Sequence, residues 1–197
     1  AASAITFTAG TGDSGTFTLT AGVGNTIASG SGAITINADS IALNTTANTI
    51  TGTGAITLQP NTVARPIVVG AAGAATDFAL STTEIASMTD GSSGITIGRA
   101  DGTGGATISA ITFNDPVTIN SPTGGTLTVN GQITGAGNAS VTLDGSGATT
   151  TLNADIVTSD TDITISDSVV IGDGWNITLS TGTAGGGNIS ITGTTNG

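Results

Sequence analysis

Cysteine, histidine, lysine and tyrosine are absent from these 197 residues, and the only cations are Arg65 and Arg99. Without cysteine there is no disulfide framework. Without lysine there are no Lys–Asn isopeptide crosslinks. Thirteen Asp plus Glu against the two arginines leave a net charge of −11. A nucleic-acid backbone needs several Lys/Arg contacts, and an anionic lipid surface attracts basic segments; the balance here excludes both as partners. No apolar run approaches the roughly 18–20 residues that span a bilayer, so membrane insertion is not expected. The opening AASAITFTAG has neither the charged start nor the long apolar stretch of a signal peptide.

Charge is scarce as well as one-sided: 8% of residues are charged, against about a quarter in ordinary globular domains. Scarce charge and 32 glycines could describe a disordered chain. Disordered chains, however, lack β-branched residues and carry high charge or abundant proline. This chain is full of Ile, Val and Thr in short alternating runs, with only four prolines.

Those runs are apolar–polar–apolar triplets: ITF 5–7, ITI 34–36, ITL 56–58, ITI 95–97, ITF 111–113, VTI 117–119, VTL 141–143, ITI 163–165 and ISI 189–191. Period-two alternation of β-branched residues is the strand signal. It turns the outer two side chains one way and the central Thr the other. Gly, Asn, Asp and Ser between the triplets are turn formers. GAITI at 32–36 returns as GAITL at 54–58, and Val141 is followed by Ile163 at the same twenty-two-residue distance. A fixed period of about 20–25 residues with short strands signals a solenoid. The expected fold is all-β: a right-handed parallel β-helix, a single domain over 1–197, with about nine coils of roughly 20–23 residues and a length of about 40 Å. Its aliphatic core leaves little room for rings, in keeping with four Phe and the single Trp175. Asn37, Asn44, Asn114, Asn120, Asn130, Asn153 and Asn176 fall after or between strands, where Asn tolerates left-handed corners and can stack into amide ladders. A jelly-roll-like sandwich is the rival fold.

Residues 60–94 break the rhythm and read as an irregular excursion. Within it LSTTEIASMTDG predicts a short helix near 81–90. Ser81 and Glu84 form a capping box, with Leu80 and Ile85 as its hydrophobic staple. Gly91 stops it, and Ile85 and Met88 face the solenoid. The segment either covers one face or protrudes as a recognition element.

The stretch LSTTEIASMTDGSSGITIGRADGTGGATISAITFNDPVTI (80–119) resembles a segment that recurs in large secreted β-helical exoproteins, the filamentous-haemagglutinin-like adhesins of two-partner secretion. The likeness lies in a Leu-Ser/Thr start, an acidic residue before Ile/Leu, and Gly-Ile-Thr-Ile-Gly. Residues 124–158 are similar to the repeat coils of those proteins. The family's secretion domain with its Asn-Pro-Asn motif is not within these residues. The resemblance implies a right-handed β-helix from an exported, surface-associated bacterial fibre.

Some β-helices cleave polysaccharides with Asp clusters helped by His, Lys or Arg. With no His or Lys, no enzyme is expected; Asp160 and Asp162, two apart, are the one candidate carboxylate pair. The acidic run Asp155, Asp160, Asp162, Asp167, Asp173 could offer calcium oxygen ligands, with Asp160, Asp162 and Asp167 the strongest candidates, but it lacks a calcium-loop motif and reads as a solvated stripe. No other cofactor is expected. Asn44, Asn138, Asn176 and Asn188 stand in Asn-x-Ser/Thr sequons. TFTLT at 16–20 puts Thr16, Thr18 and Thr20 on one face; an ice-binding face would repeat such outward Thr pairs on successive coils. A solenoid's ends carry unpaired backbone groups, and natural ones are capped. No cap is legible, so Ile5, Phe7, Ile189 and Ile191 are the expected filament ends. The partner is then the protein itself, through head-to-tail stacking or covalent continuation, with host-cell or surface glycans as further partners. The expected role is structural and adhesive, extracellular at a bacterial surface; the alternatives are a carbohydrate-binding or polysaccharide-cleaving β-helix and an ice-binding β-solenoid.

Overall fold

The structure, a computed structural model, describes every residue except 1, 11–13, 21, 23, 44, 45, 47, 48, 121, 122, 145, 146, 175, 184 and 197. Asn44 and Trp175 therefore lie outside the described residues.

The chain winds in coils that visit three faces in turn. The first coil carries β1 (Ile5–Ala9), β2 (Thr16–Thr18) and β3 (Ile27–Ala28), the second β4 (Ile34–Ala38), β5 (Ser40–Ala42) and β6 (Ile50–Thr51). The third carries β7 (Ile56–Gln59) and β8 (Ile67–Val69), then departs through β9 (Phe78–Leu80) and the helix α1 (Thr82–Ile85). The fourth carries β10 (Ile95–Ile97), β11 (Ala106–Ile108) and β12 (Ile111–Phe113). The fifth has β13 (Val117–Asn120), β14 (Thr126–Val129) and β15 (Ile133–Gly135), the sixth β16 (Val141–Asp144), β17 (Thr149–Leu152) and β18 (Ile156–Thr158). The seventh has β19 (Ile163–Ile165), β20 (Ser168–Ile171) and β21 (Leu179–Ser180), and β22 (Ile189–Ile191) and β23 (Thr195–Asn196) begin an eighth.

Face 1 is an unbroken parallel sheet of eight strands, β1-β4-β7-β10-β13-β16-β19-β22. Face 2 holds β2-β5 and β9-β8-β11-β14-β17-β20-β23; face 3 holds β3-β6 and β12-β15-β18-β21. The chain is a right-handed parallel β-solenoid of about seven turns, the hand that parallel crossovers take. The expected nine coils are too many because the period is not constant. Face 1 advances by 22 residues from Ile34 to Ile56, but by 29 from Ile5 to Ile34, 39 from Ile56 to Ile95 and 26 from Ile163 to Ile189. Seven steps make a face about 34 Å long.

Alternation builds the core. On face 1 two inward rows stack rung on rung, one running from Ile5 through Ile34, Ile56, Ile95, Val117, Val141 and Ile163 to Ile189, the other from Phe7 through Leu58 to Ile191. Between the end coils these side chains are buried, and each gains about 1.5–3 kcal/mol from leaving water. The core admits some rings: Phe78 is fully buried and registers on Ile67. Phe113 is fully buried and registers on Gly135, while Phe7 and Phe17 pack ring to ring in the first coil, 5.0 Å apart.

Residues 60–94 are more ordered than their composition suggests. β9 pairs with β8 on the side away from β11 and packs against β5. A strand later in sequence thus sits between two earlier coils, and face 2 gains a rung that face 1 lacks. The chain then passes through α1 to Met88, which bridges Ile50 on face 3. The capping box forms as expected: the Ser81 hydroxyl accepts from the Glu84 N–H, and Glu84 accepts from the Ser81 N–H. Leu80 and Ile85 of the staple are buried. The helix ends at Ile85 and not near residue 90. The Ser87 hydroxyl donates to the Glu84 carbonyl, and the following backbone is needed extended for Met88 to reach Ile50. Ile85 and Met88 both face the core.

Candidate functional site

Of the acidic residues expected to line a metal stripe, Asp155, Asp162 and Asp167 work as clips between coils, as do Asp39 and Asp115. Asp155 accepts from the Thr178 N–H at 2.8 Å. Asp162 accepts from the Asn188 N–H at 2.7 Å. Asp39 takes both the N–H and the hydroxyl of Thr62, and Asp115 takes the Gly91 N–H. Asp167 is 2% exposed and accepts from the Thr150 hydroxyl at 2.8 Å inside the core. Each bond ties one coil to its neighbour, and those of Asp39, Asp115 and Asp167 also satisfy donors that lie part-buried or buried in the stack. Asp160 and Asp162 do not share a strand face: they lie in the turn between β18 and β19, exposed, with Asp160 at φ 61. Asp173 is exposed. Among the described residues no three His, Cys, Asp or Glu side chains converge on a point that could hold a metal ion.

Amide pairs also link coils: Asn153 donates to Asn130 at 2.9 Å and Gln59 to Asn37 at 2.8 Å. Arg99 is paired with Asp101 at 2.8 Å and donates to the Asn61 carbonyl. The Arg99–Asp101 hydrogen bonds hold the Asp101 carboxyl below the usual carboxylate range and raise the Arg99 guanidinium above its own. Asn138, Asn176 and Asn188 are exposed. Of the expected filament ends, Ile5 and Phe7 lie on β1 and Ile189 and Ile191 on β22, the two edge strands of face 1. Ile189 is 46% exposed. Among the described residues no helix is long and apolar enough to cross a membrane.

The outward side of face 1 carries the most regular surface in the molecule. Thr6, Thr35, Thr57, Thr96, Thr118, Thr142, Thr164 and Ser190 register one on the next through all eight strands. This is a file of hydroxyls with a rung every ~4.8 Å. The residue preceding each strand is small over the middle coils: Ala55, Gly94, Pro116 and Ser140. Beside the Thr file these leave a trough of about 270 Å3 that touches four successive coils. The Thr pair singled out at 16–20 is not repeated, since Thr16 registers on Ser40 and Thr18 on Ala42. The informative signal was the plainer one, the central Thr of each triplet. A second concavity of about 420 Å3 lies between α1 and face 3, lined among others by Ile85, Met88, Ile111, Thr112, Gln132 and Thr134.

Stacked registers, three faces and a continuous aliphatic core define the chain as a β-solenoid repeat protein. No family model, no curated protein and no solved structure matches it.

Proposed function

We propose that this chain is a structural and adhesive segment of an extracellular bacterial surface fibre, of the filamentous-haemagglutinin-like kind that its sequence resembles. The observation that carries the reading is the continuity of face 1. Its two inward rows and its outward Thr file run through eight strands without a missing rung, and they reach edge strands β1 and β22 bearing the same pattern. Such an edge offers unpaired N–H and C=O groups and half-covered Ile and Phe. A further coil, on the same chain or from a second copy, completes both. Stacking of that kind is heterologous and does not close, so it yields a rod and not a ring. A solenoid braced by inter-coil carboxylates and amides suits a stiff projecting element.

The test is the denatured mass of native material together with its sedimentation at high concentration. The reading expects either a chain far heavier than 18.6 kDa, or an 18.6 kDa chain that sediments as polymer and appears as rods in electron micrographs. An 18.6 kDa native chain that stays monomeric at millimolar concentration would sink it.

A further inference from the structure

We infer that the trough along face 1 is a binding site for a neutral linear polysaccharide, lying parallel to the solenoid axis against the Thr file. The inference rests on the adhesive reading and gives it residues.

Three observations set the chemistry of the occupant. The first is direction. The trough touches Ala55, Gly94, Pro116 and Ser140 on one side and Thr96, Thr118 and Thr142 on the other, so it follows the axis across four coils, about 14 Å. A compact ligand would fill one coil's width; a polymer with its own short repeat uses all four. The second is the donor and acceptor set. Each Thr hydroxyl gives and accepts one hydrogen bond at a constant interval, and Ser140 adds another from the opposite wall. A chain of hydroxyl-bearing units offers the same pair of roles at a comparable repeat. The third is charge. No ionisable side chain lines the trough, while the rest of the molecule is strongly acidic, with a net charge of −11. An acidic polysaccharide would be repelled by that field, and a basic one would find no carboxylate in the trough to pair with.

The small residues are part of the site. A large side chain in the row of Ala55, Gly94, Pro116 and Ser140 would stand in the trough; the corresponding places on the last two rungs hold Asp162 and Asn188, which bond each other. Small residues, Ala4 and Ala33, also precede the first two strands of the face, but the trough itself spans the four coils from Ala55 to Ser140. No aromatic residue lines it, so each sugar is held by hydrogen bonds alone. Affinity per rod is then low and grows with the number of troughs engaged at once, as multivalent binding does.

The geometry also separates this occupant from ice. An ice-binding face would repeat outward Thr pairs on successive coils, whereas face 1 carries one Thr file flanked by a trough. A file and a trough suit a strand-like ligand, not a planar lattice.

The experiment uses the full chain and measures retention on crystalline cellulose and on chitin, with alginate as the acidic comparison. Three proteins are compared: the wild type, the face 1 variant Thr96→Val/Thr118→Val/Thr142→Val, and the face 2 control Thr107→Val/Thr128→Val/Thr151→Val. Valine keeps the β-branched shape and removes only the hydroxyl, and all six positions point outward from paired strands. A fourth variant, Ser140→Trp, fills the trough while leaving every hydroxyl of the Thr file in place. The inference expects retention on at least one of the two neutral polymers, a loss of tenfold or more in the face 1 and Ser140 variants, no such loss in the face 2 control, and weaker retention on alginate. It is overturned if the wild type is retained on neither neutral polymer, if both triple variants lose retention equally, if alginate is preferred, or if thermal hysteresis abolished by the face 1 variant marks the surface as ice-binding. Sedimentation of the same samples keeps the two readings apart. Polymeric rods that ignore cellulose and chitin would remove the glycan site and leave the fibre standing.

Discussion

The Glu84 carboxylate accepts a hydrogen bond from the backbone N–H of Leu43, 41 residues earlier, at 3.0 Å. Its other oxygen takes the Ser81 N–H at 2.8 Å and the Ser81 hydroxyl at 2.7 Å. One side chain therefore caps α1 and ties the inserted segment to the second coil. Hydrogen bonds to a charged group contribute about 1.5–3 kcal/mol each, and bonds sharing one carboxylate do not add. Glu84→Ala should cost about 3 kcal/mol in urea unfolding, and Glu84→Gln, which keeps an acceptor, about 1 kcal/mol. An alanine variant within about 0.5 kcal/mol of wild type would show that the insertion is held by packing alone.

Gly54 opens the second GAIT motif because the corners of successive coils nearly touch. A Cβ at Gly54 would lie 2.2 Å from the Gly32 carbonyl oxygen, and one at Gly32 would lie 2.1 Å from the Ser3 oxygen. The obstacle is backbone already committed to the stack, so it cannot swing aside. Gly54→Ala should destabilise by about 1–3 kcal/mol, as overpacking does, although Ala is no worse than Gly on an open turn. Gly124→Ala is the comparison: nothing lies near a Cβ there, and any loss comes from its φ of +66°. Equal thermal shifts in the two variants would count against the corner contact.

The Arg99–Asp101 pair gives a pH signature with little stability behind it. Hydrogen bonds from Arg99 depress the Asp101 carboxyl in the folded state. A depressed folded value contributes stability above the unfolded carboxylate value, and that contribution disappears as the pH falls through the folded one. The carboxylate is exposed, so solvent screens the pair. Arg99→Gln should return the Asp101 titration toward the ordinary carboxylate range in carbon-13 NMR. The thermal midpoint of Asp101→Asn at neutral pH should match wild type. A clear drop in that midpoint would mean the pair is a structural anchor.

Calcium should leave the thermal midpoint unchanged. Asp155, Asp162 and Asp167 already accept hydrogen bonds from Thr178, Asn188 and Thr150, and among the described residues no three acidic side chains converge to offer a cation its six to eight oxygens. Scanning calorimetry with millimolar calcium and then with chelator tests this. A rise of several degrees on calcium would place a site among these carboxylates.

Much of the face 1 sheet was legible in the triplets. Side-chain alternation is a local property of extended backbone, so ITI at 34–36 and ITI at 163–165 declare which residues point inward and that the middle Thr points out. The repeated GAIT distance gave the coil length, and the Ser81–Glu84 capping box is likewise local and formed as expected. What the sequence could not carry was anything that depends on the neighbouring coil. The varying period, from 22 to 39 residues on face 1, follows from segments that contribute no rung to that face, and they turned nine expected coils into about seven. The placement of β9 between β8 and β5 reverses chain order, which no periodicity can announce. The acidic residues look like a stripe when written in a line. Only the stack, which brings Asp162 to Asn188 and Asp167 to Thr150, makes them clips, because the donors they satisfy belong to other turns of the chain.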